Sequence, residues 1–147
     1  MIYMDIHGYT LKYVDIRLIK FMSKEGFIPL KEMEIYRLCR ELSRKGWEIY
    51  KKLHWQDKKV MGDQFIEATD SIGANFTEGY RRYHHLERVK FCYNSRGSLA
   101  EAMEYWLELL REREKVDSQD YNHYLQTSRE IEVKINNFIS SIYRNKQ

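Results

Sequence analysis

The sequence has few of the residues that interrupt regular structure, with one proline and seven glycines among 147 residues. So few breaks favour a small number of long helices over many short strands. Only two cysteines are present, Cys39 and Cys92, which argues against a disulfide-stapled fold and indicates small buried thiols in a reducing compartment. No apolar run approaches the roughly 18 residues that span a bilayer, and the N-terminal residues lack the pattern of a signal peptide. We therefore expect a soluble, cytoplasmic protein.

What the sequence does contain fits a single helical domain. Apolar residues make up 43% of the chain, which is enough for a core at this length. Charged residues make up 32%, as expected for helices with solvated outer faces. Their signs alternate in blocks: bases predominate in residues 37–59 and 81–96, and acids in residues 61–80 and 97–120. Such blocks favour attraction between adjacent helices or between subunits.

Apolar residues recur at helical spacing in four segments. The last is the clearest, because its inner positions follow alternating steps of four and three: Tyr124, Ser128, Ile131, Ile135, Phe138 and Ile142. Asp117 or Ser118 is expected to cap it, and Gly79 to end the second helix in a left-handed conformation. Short links force antiparallel neighbours. The sequence therefore predicts an all-α, antiparallel up-down-up-down four-helix bundle in residues 31–147, with helices over 32–54, 58–78, 85–113 and 118–143.

Residues 1–30 differ in character and are predicted to form an N-terminal extension. Thr10 could cap a short helix whose apolar face holds Leu11, Val14, Leu18 and Phe21. Alternation of Ile2, Met4 and Ile6 with polar or aromatic residues fits an extended arm instead. A third alternative is a wrongly assigned start codon, because Met4, Met22 and Met33 follow, and all three alternatives stay open.

Two motifs follow each other within residues 62–107. The first comprises Ser71-Ile72, Asn75-Phe76 and Glu78-Gly79, followed by Arg81 and Arg82; the second comprises Arg96-Gly97-Ser98-Leu99 and Glu101. Together they resemble the family of four-helix-bundle proteins encoded in intervening sequences of bacterial 23S ribosomal RNA genes. Phe76 and Thr77 stand where that family usually has Ile and Ala.

The resemblance implies an up-down bundle that assembles as a homo-oligomer, commonly a pentamer. It implies no settled activity. A distant branch of the family is an accessory partner of a reverse transcriptase, which makes RNA, DNA or such an enzyme the implied partners. An excess of aromatic residues, with twelve tyrosines and three tryptophans, independently favours an interface between subunits.

The polar motif residues occur in pairs three positions apart, so each pair shares a helix face. The pairs are Asn75 with Glu78 and Ser98 with Glu101. We interpret them as a network that fixes helix register, with Gly97 allowing another helix to approach. An alternative is an enzyme in which Glu78 and Glu101 act as acid and base. Because metal-binding and phosphate-loop spacings are missing from the sequence, we predict no metal, no cofactor and no enzymatic activity.

The candidate partner surface is basic and aromatic. On the first helix, Arg37, Arg40, Arg44 and Lys51 recur at helical spacing. Arginine and lysine hold phosphates, and tyrosine stacks on unpaired bases. We therefore predict a non-enzymatic scaffold that contacts RNA, DNA or a nucleic-acid enzyme; the alternative is a protein–protein interaction module without nucleic-acid binding. The tentative nucleic-acid contacts are Arg81, Arg82, Tyr83, Arg88, Lys90, Arg44 and Lys51.

Overall fold

A computed structural model describes residues 5–6, 9–10 and 28–145. Near the N-terminus, strand β1 (Asp5–Ile6) pairs antiparallel with strand β2 (Tyr9–Thr10), with Asp5 opposite Thr10 and Ile6 opposite Tyr9. The short helix that Thr10 could cap and the residues Ile2 and Met4 of the alternative arm lie outside the described residues.

Within residues 28–145 the chain forms four long helices, which confirms the predicted all-α class. Helix α1 (Glu34–Lys52) follows a 3-10 turn at Leu30–Glu32. Helices α2 and α3 each contain a π-helical stretch. The α2 segments are Trp55–Asp57, the π-helical Lys58–Gly62, and Asp63–Tyr80. The α3 segments are His85–Ala100, the π-helical Glu101–Trp106, and Leu107–Glu112. Helix α4 (Ser118–Arg144) completes the set.

Asp117 caps α4, as one of the two predicted alternatives. Its side chain accepts a hydrogen bond from the Asp120 N–H at 2.8 Å, and this bond is the main reason that the pKa of the Asp117 carboxyl is lowered. Lys52, in the last turn of α1, contacts Asp120 with 2.5 Å between Nζ and Oδ2. The cap therefore also links the end of α1 to the start of α4.

The prediction that Gly79 is a left-handed C-cap is wrong. Gly79 lies inside α2, which runs on to Tyr80, and Arg81 follows at φ −83° with its N–H donating to the Glu78 carbonyl at 3.2 Å. The reason for a glycine is packing. A Cβ added at Gly79 would lie 2.5 Å from Cβ of Phe91 on α3, closer than two such atoms can approach.

Each helix contributes one apolar stripe to a common core. Along α4 the predicted seam is confirmed, because all of its residues are buried except Phe138, which is partly buried against the core. The other helices contribute, among their fully or nearly fully buried residues, Leu42 and Ile49 of α1, Phe65, Ile72 and Phe76 of α2, and Leu99, Leu107 and Leu110 of α3.

Hydrogen bonds and ion pairs between helices join positions that run in opposite order. As residue numbers rise along α1, the bonded positions fall along both α2 and α4. The α1–α2 pairs are Ser43 with Asp70 at 2.6 Å and Tyr50 with Asp63 at 2.8 Å. The α1–α4 pairs are Glu34 with Lys134 at 2.8 Å, Lys45 with Thr127 at 2.7 Å, and Lys52 with Asp120.

Two linked hydrogen bonds cross the core between α2 and α4. The hydroxyls of Thr69 and Tyr124 lie 2.7 Å apart, and Thr69 also donates to the Phe65 carbonyl at 2.7 Å. Because the Thr69 hydrogen is used by Phe65, Tyr124 must be the donor to Thr69. Tyr124 is fully buried, and burial raises the pKa of its hydroxyl. These hydrogen bonds therefore give the Tyr124 hydroxyl a partner where it has no access to water.

Both cysteines are buried with free thiols, as predicted. Burial raises the pKa of the Cys39 thiol to about 12 and that of Cys92 to about 11. Thiolates are the reactive form of cysteine, so both side chains behave as small hydrophobes. In the part of the chain from Ile28 to Asn145, no helix is both long enough and apolar enough to cross a membrane.

Candidate nucleic-acid interface

The candidate interface is built on a close approach of α1 to α2. A Cβ added at Gly73 would lie 3.1 Å from Cβ of Cys39, and one added at Gly46 would lie 3.0 Å from Cγ2 of Thr69. Glycines at these two positions therefore let the helix backbones come together. Gly73 has no side chain and Ala74 has only a methyl group, so the outer side of the helix pair has an open floor there.

Above this floor lies a groove of about 880 Å³, which we call the α1–α2 groove. Tyr36, Arg40 and Ser43 line it from α1. From α2 and its C-terminal turn it is lined by Asp70, Glu78, Arg81 and Arg82, among others. The groove therefore combines three guanidinium groups with two carboxylates.

The three arginines of the groove differ in their partners. Arg82 forms an ion pair with Glu78, and its guanidinium carbon lies 5.0 Å from the centre of the Phe91 ring. Arg40 and Arg81 are exposed, and neither forms an ion pair with any other residue that the structure describes. Their charges are not neutralised within the helix pair, so they are the groups best placed to meet an anion.

Only part of the predicted contact set meets in the groove. Arg81 and Arg82 line it, whereas Tyr83, Arg88, Lys90, Arg44 and Lys51 do not. Tyr83 is exposed and packs edge-on against His84 with 5.2 Å between ring centres. Lys51 pairs with Glu48 at 2.8 Å.

Arg88 points a different way from the other candidates. Burial lowers the pKa of its guanidinium, and its charge acts on the buried Cys92 and on Tyr80. Arg88 therefore belongs to the junction of α2 with α3, whereas Lys90 and Arg44 are exposed. Arg40 lines the groove although the sequence places it only in the basic stripe of α1 and not among the tentative contacts. Basic residues recur at helical spacing on α1, but this spacing does not show which of them faces α2.

The two sequence motifs meet through side chains of α2 and α3. Asn75 donates to the Ser71 carbonyl at 2.9 Å and lies 3.5 Å from the Ser98 hydroxyl. Ser95, which the sequence did not single out, is fully buried and donates to the Ile72 carbonyl at 2.7 Å. These contacts hold α2 and α3 at one register.

The two glutamates of the motifs have separate partners. Glu78 lines the α1–α2 groove and pairs with Arg82. Glu101 is exposed and accepts a hydrogen bond from Nε1 of Trp106 at 3.0 Å. The spacing of five residues matches the π-helical turn, which places residue i above residue i+5. The arrangement does not bring the two carboxylates to one site.

Gly97 lies in open space. A Cβ added there would meet no atom of the described residues within 4 Å, so none of the four described helices packs closely on Gly97 in the way that the sequence predicts. Arg96 beside it places its guanidinium 5.4 Å from the Tyr93 ring centre. From residue 28 to residue 145, no three His, Cys, Asp or Glu side chains cluster as metal ligands would.

Comparisons with known proteins place residues 31–137 under a family model described as "23S rRNA-intervening sequence protein". A crystal structure from Bacteroides thetaiotaomicron, of a protein with unknown function from the S23 ribosomal protein family, is similar to this chain with a TM-score of 0.67. The two sequences are 25% identical over 71% of this chain and 97% of the other. No curated protein sequence matches.

Proposed function

Because this chain belongs to the 23S rRNA-intervening sequence protein family, we propose that it is a homo-oligomeric helical scaffold that contacts RNA or DNA through the α1–α2 groove. The family match confirms the resemblance inferred from the two motifs. An antiparallel up-down-up-down arrangement of α1 to α4 is part of the proposal, and the opposite order of the bonded positions supports it. A boundary between an extension at 1–30 and the bundle is supported by the start of the family match at residue 31.

The observation that carries the nucleic-acid contact is the convergence of Arg40 and Arg81 on one groove. Arg40 lies on α1 and Arg81 directly follows α2, and neither is neutralised by an ion pair within the described part of the chain. Guanidinium groups bind phosphate with two parallel hydrogen bonds, and such contacts supply most sequence-independent affinity. The groove thus offers an anchor for a phosphate backbone.

The test is binding of a mixed-sequence single-stranded RNA, followed by fluorescence anisotropy at several salt concentrations. Combined replacement Arg40→Glu and Arg81→Glu is expected to weaken binding at least about tenfold and to flatten the salt dependence, because phosphate contacts release counterions. The control reverses two exposed arginines that do not line the groove, Arg113→Glu and Arg129→Glu, with the same change in net charge. No binding by the unaltered protein at low salt, or equal losses in both variants, would contradict the proposal.

Self-association is supported by aromatic side chains that the single chain leaves in solvent. Trp47, Trp55 and Tyr105 are 50%, 58% and 61% exposed, and aromatic residues are enriched at protein interfaces. Light scattering coupled to size-exclusion chromatography should give a mass several times 18.0 kDa, with a pentamer expected from the family resemblance. A mass of one chain at micromolar concentration would refute self-association.

The second candidate is a protein–protein interaction module that binds no nucleic acid, and the same exposed aromatic residues favour it. A protein partner retained after nuclease treatment, together with no RNA binding, would select this function. A reverse transcriptase stays a proposed partner on the resemblance alone. The two buried free thiols fit a reducing compartment, and we propose the cytoplasm.

A further inference from the structure

The α1–α2 groove has opposite charge at its two ends. Arg81 and Arg82 follow the last turn of α2 at one end, whereas Asp70 lies at the other, eleven positions earlier in the sequence. At a helical rise of 1.5 Å per residue the two ends are about 16 Å apart. Arg40 stands between them on the α1 side. The groove therefore suits a ligand that carries anionic groups at one end and hydrogen-bond donors at the other.

The acidic end is a positioned acceptor. Ser43 of α1 donates to Oδ1 of Asp70 at 2.6 Å, and both residues line the groove. A carboxylate accepts several hydrogen bonds and donates none when ionised. The Ser43 bond fixes the orientation of the carboxylate and leaves it capacity for further donors. A ligand group that meets Asp70 must therefore bring N–H or O–H groups.

The groove as a whole retains net positive charge, because its lining holds three arginines and two carboxylates. Glu78 is engaged by Arg82, so Arg40 and Arg81 are the cations that face the groove without an ion pair among the described residues. Tyr36, partly buried against the core, lines the same groove and offers an aromatic face.

The shape of the groove selects between nucleic-acid forms. Its floor lies between two helices in close contact at Gly73 and Cys39, and packed helices have axes about 8–10 Å apart. In double-stranded RNA the amino group of a paired cytosine keeps a free N–H only in the deep, narrow major groove, which protein side chains cannot reach. An unpaired base can be splayed out and bound by its Watson–Crick edge. The groove is open to solvent along its length, and its volume of about 880 Å³ leaves room for a splayed-out base.

We infer that the α1–α2 groove binds single-stranded nucleic acid, with backbone phosphates on Arg40 and Arg81 and the exocyclic amino group of an unpaired base donating to Asp70. This inference rests on the proposed function and specifies its ligand. A comparison of cytosine with uracil separates base recognition by Asp70 from phosphate binding by the arginines. The two bases differ at position 4, where cytosine carries an amino donor and uracil a carbonyl acceptor. A carboxylate that meets position 4 of the base therefore favours cytosine over uracil.

The experiment measures the affinity of the full chain for three RNA probes of equal length at neutral pH: oligocytidylate, oligouridylate and a mixed-sequence duplex. We expect the cytidylate to bind about tenfold more tightly than the uridylate, as one charge-assisted hydrogen bond gives, and the duplex to bind more weakly than either strand. Asp70→Asn should bring cytidylate and uridylate within about twofold of each other, because an amide both donates and accepts.

The matched control is Glu67→Gln, which makes the same chemical change at an exposed α2 position outside the groove and should retain the cytidylate preference. Circular dichroism verifies that both variants are folded. Equal affinity for the two single strands, or a duplex bound as tightly as they are, overturns the inference. If the two single strands bind equally well and the combined Arg40→Glu and Arg81→Glu replacement abolishes that binding, the contact of Asp70 with cytosine is refuted while the proposed function stands. If no probe binds, both fall.

Discussion

Replacing Gly79 with alanine is expected to lower the free energy of unfolding by about 3 kcal/mol. The added Cβ would lie 2.5 Å from Cβ of Phe91 and 3.3 Å from the Arg88 carbonyl oxygen. Neither obstacle is the end of a flexible side chain, so α2 and α3 must move apart to accommodate the methyl group. Denaturant unfolding at a fixed chain concentration measures the loss, which is expected to exceed the roughly 1 kcal/mol that alanine gains over glycine inside a helix.

Gly97→Ala is the matched control, because it makes the same substitution on the neighbouring helix in open space. There the gain in helix propensity is unopposed, and the free energy of unfolding should rise by about 0.5–1 kcal/mol. Equal destabilisation by the two substitutions would contradict the account of Gly79. A loss confined to Gly97→Ala would show that Gly97, and not Gly79, lies in a close contact.

Thr69→Val is expected to cost about 2 kcal/mol of stability, because it leaves the buried Tyr124 hydroxyl without its acceptor. Valine matches threonine in shape, so the core keeps its packing. The Thr69 and Tyr124 hydroxyls lie 2.7 Å apart where neither is reached by water. A buried polar group deprived of its partner costs about 1–3 kcal/mol. Thermal or denaturant unfolding of the variant measures this cost.

The double variant provides the decisive comparison. Tyr124→Phe alone should cost about 1 kcal/mol, since Thr69 still donates to the Phe65 carbonyl. Combined with Thr69→Val it removes both polar groups, so the pair should cost less than the sum of the single changes by about 1 kcal/mol or more. Strict additivity would show that the two hydroxyls do not depend on each other.

The helices could be predicted from the sequence because their apolar spacing is local information. Helix α4 shows this best, since its buried seam follows directly from the order of its residues. The role of Gly79 could not be predicted in the same way. A glycine near the end of an apolar stripe fits a left-handed cap as well as a close contact, and only the position of Phe91 on the next helix decides.

The groove could be predicted only in part for a related reason. Arg81 and Arg82 are adjacent in the sequence, which is enough to predict them as one basic cluster. Arg40 lies among several bases on α1, and its place in the groove depends on the side of α1 that meets α2. That side is set by the contacts of Gly46 and Gly73, which involve residues far away in the chain.

The π-helical turn at Glu101–Trp106 also escaped prediction. The apolar spacing around it predicts one continuous α-helix over 85–113, whereas the extra residue in the turn lets Glu101 reach Trp106. Periodicity at 3.6 residues per turn cannot register a single wider turn, because the apolar positions on either side still face the core.

The glycine contact between α1 and α2 also determines how the groove responds to a ligand. Its floor consists of Gly73, Ala74 and Cys39, which offer backbone, a methyl group and a buried thiol. These groups have little or no rotamer freedom to lose, whereas the arginines at the rim have much. The groove therefore binds a ligand with a rigid floor and a flexible rim. The floor is preorganised during folding, so most of the entropic cost of binding comes from ordering the arginine side chains that bind the phosphates.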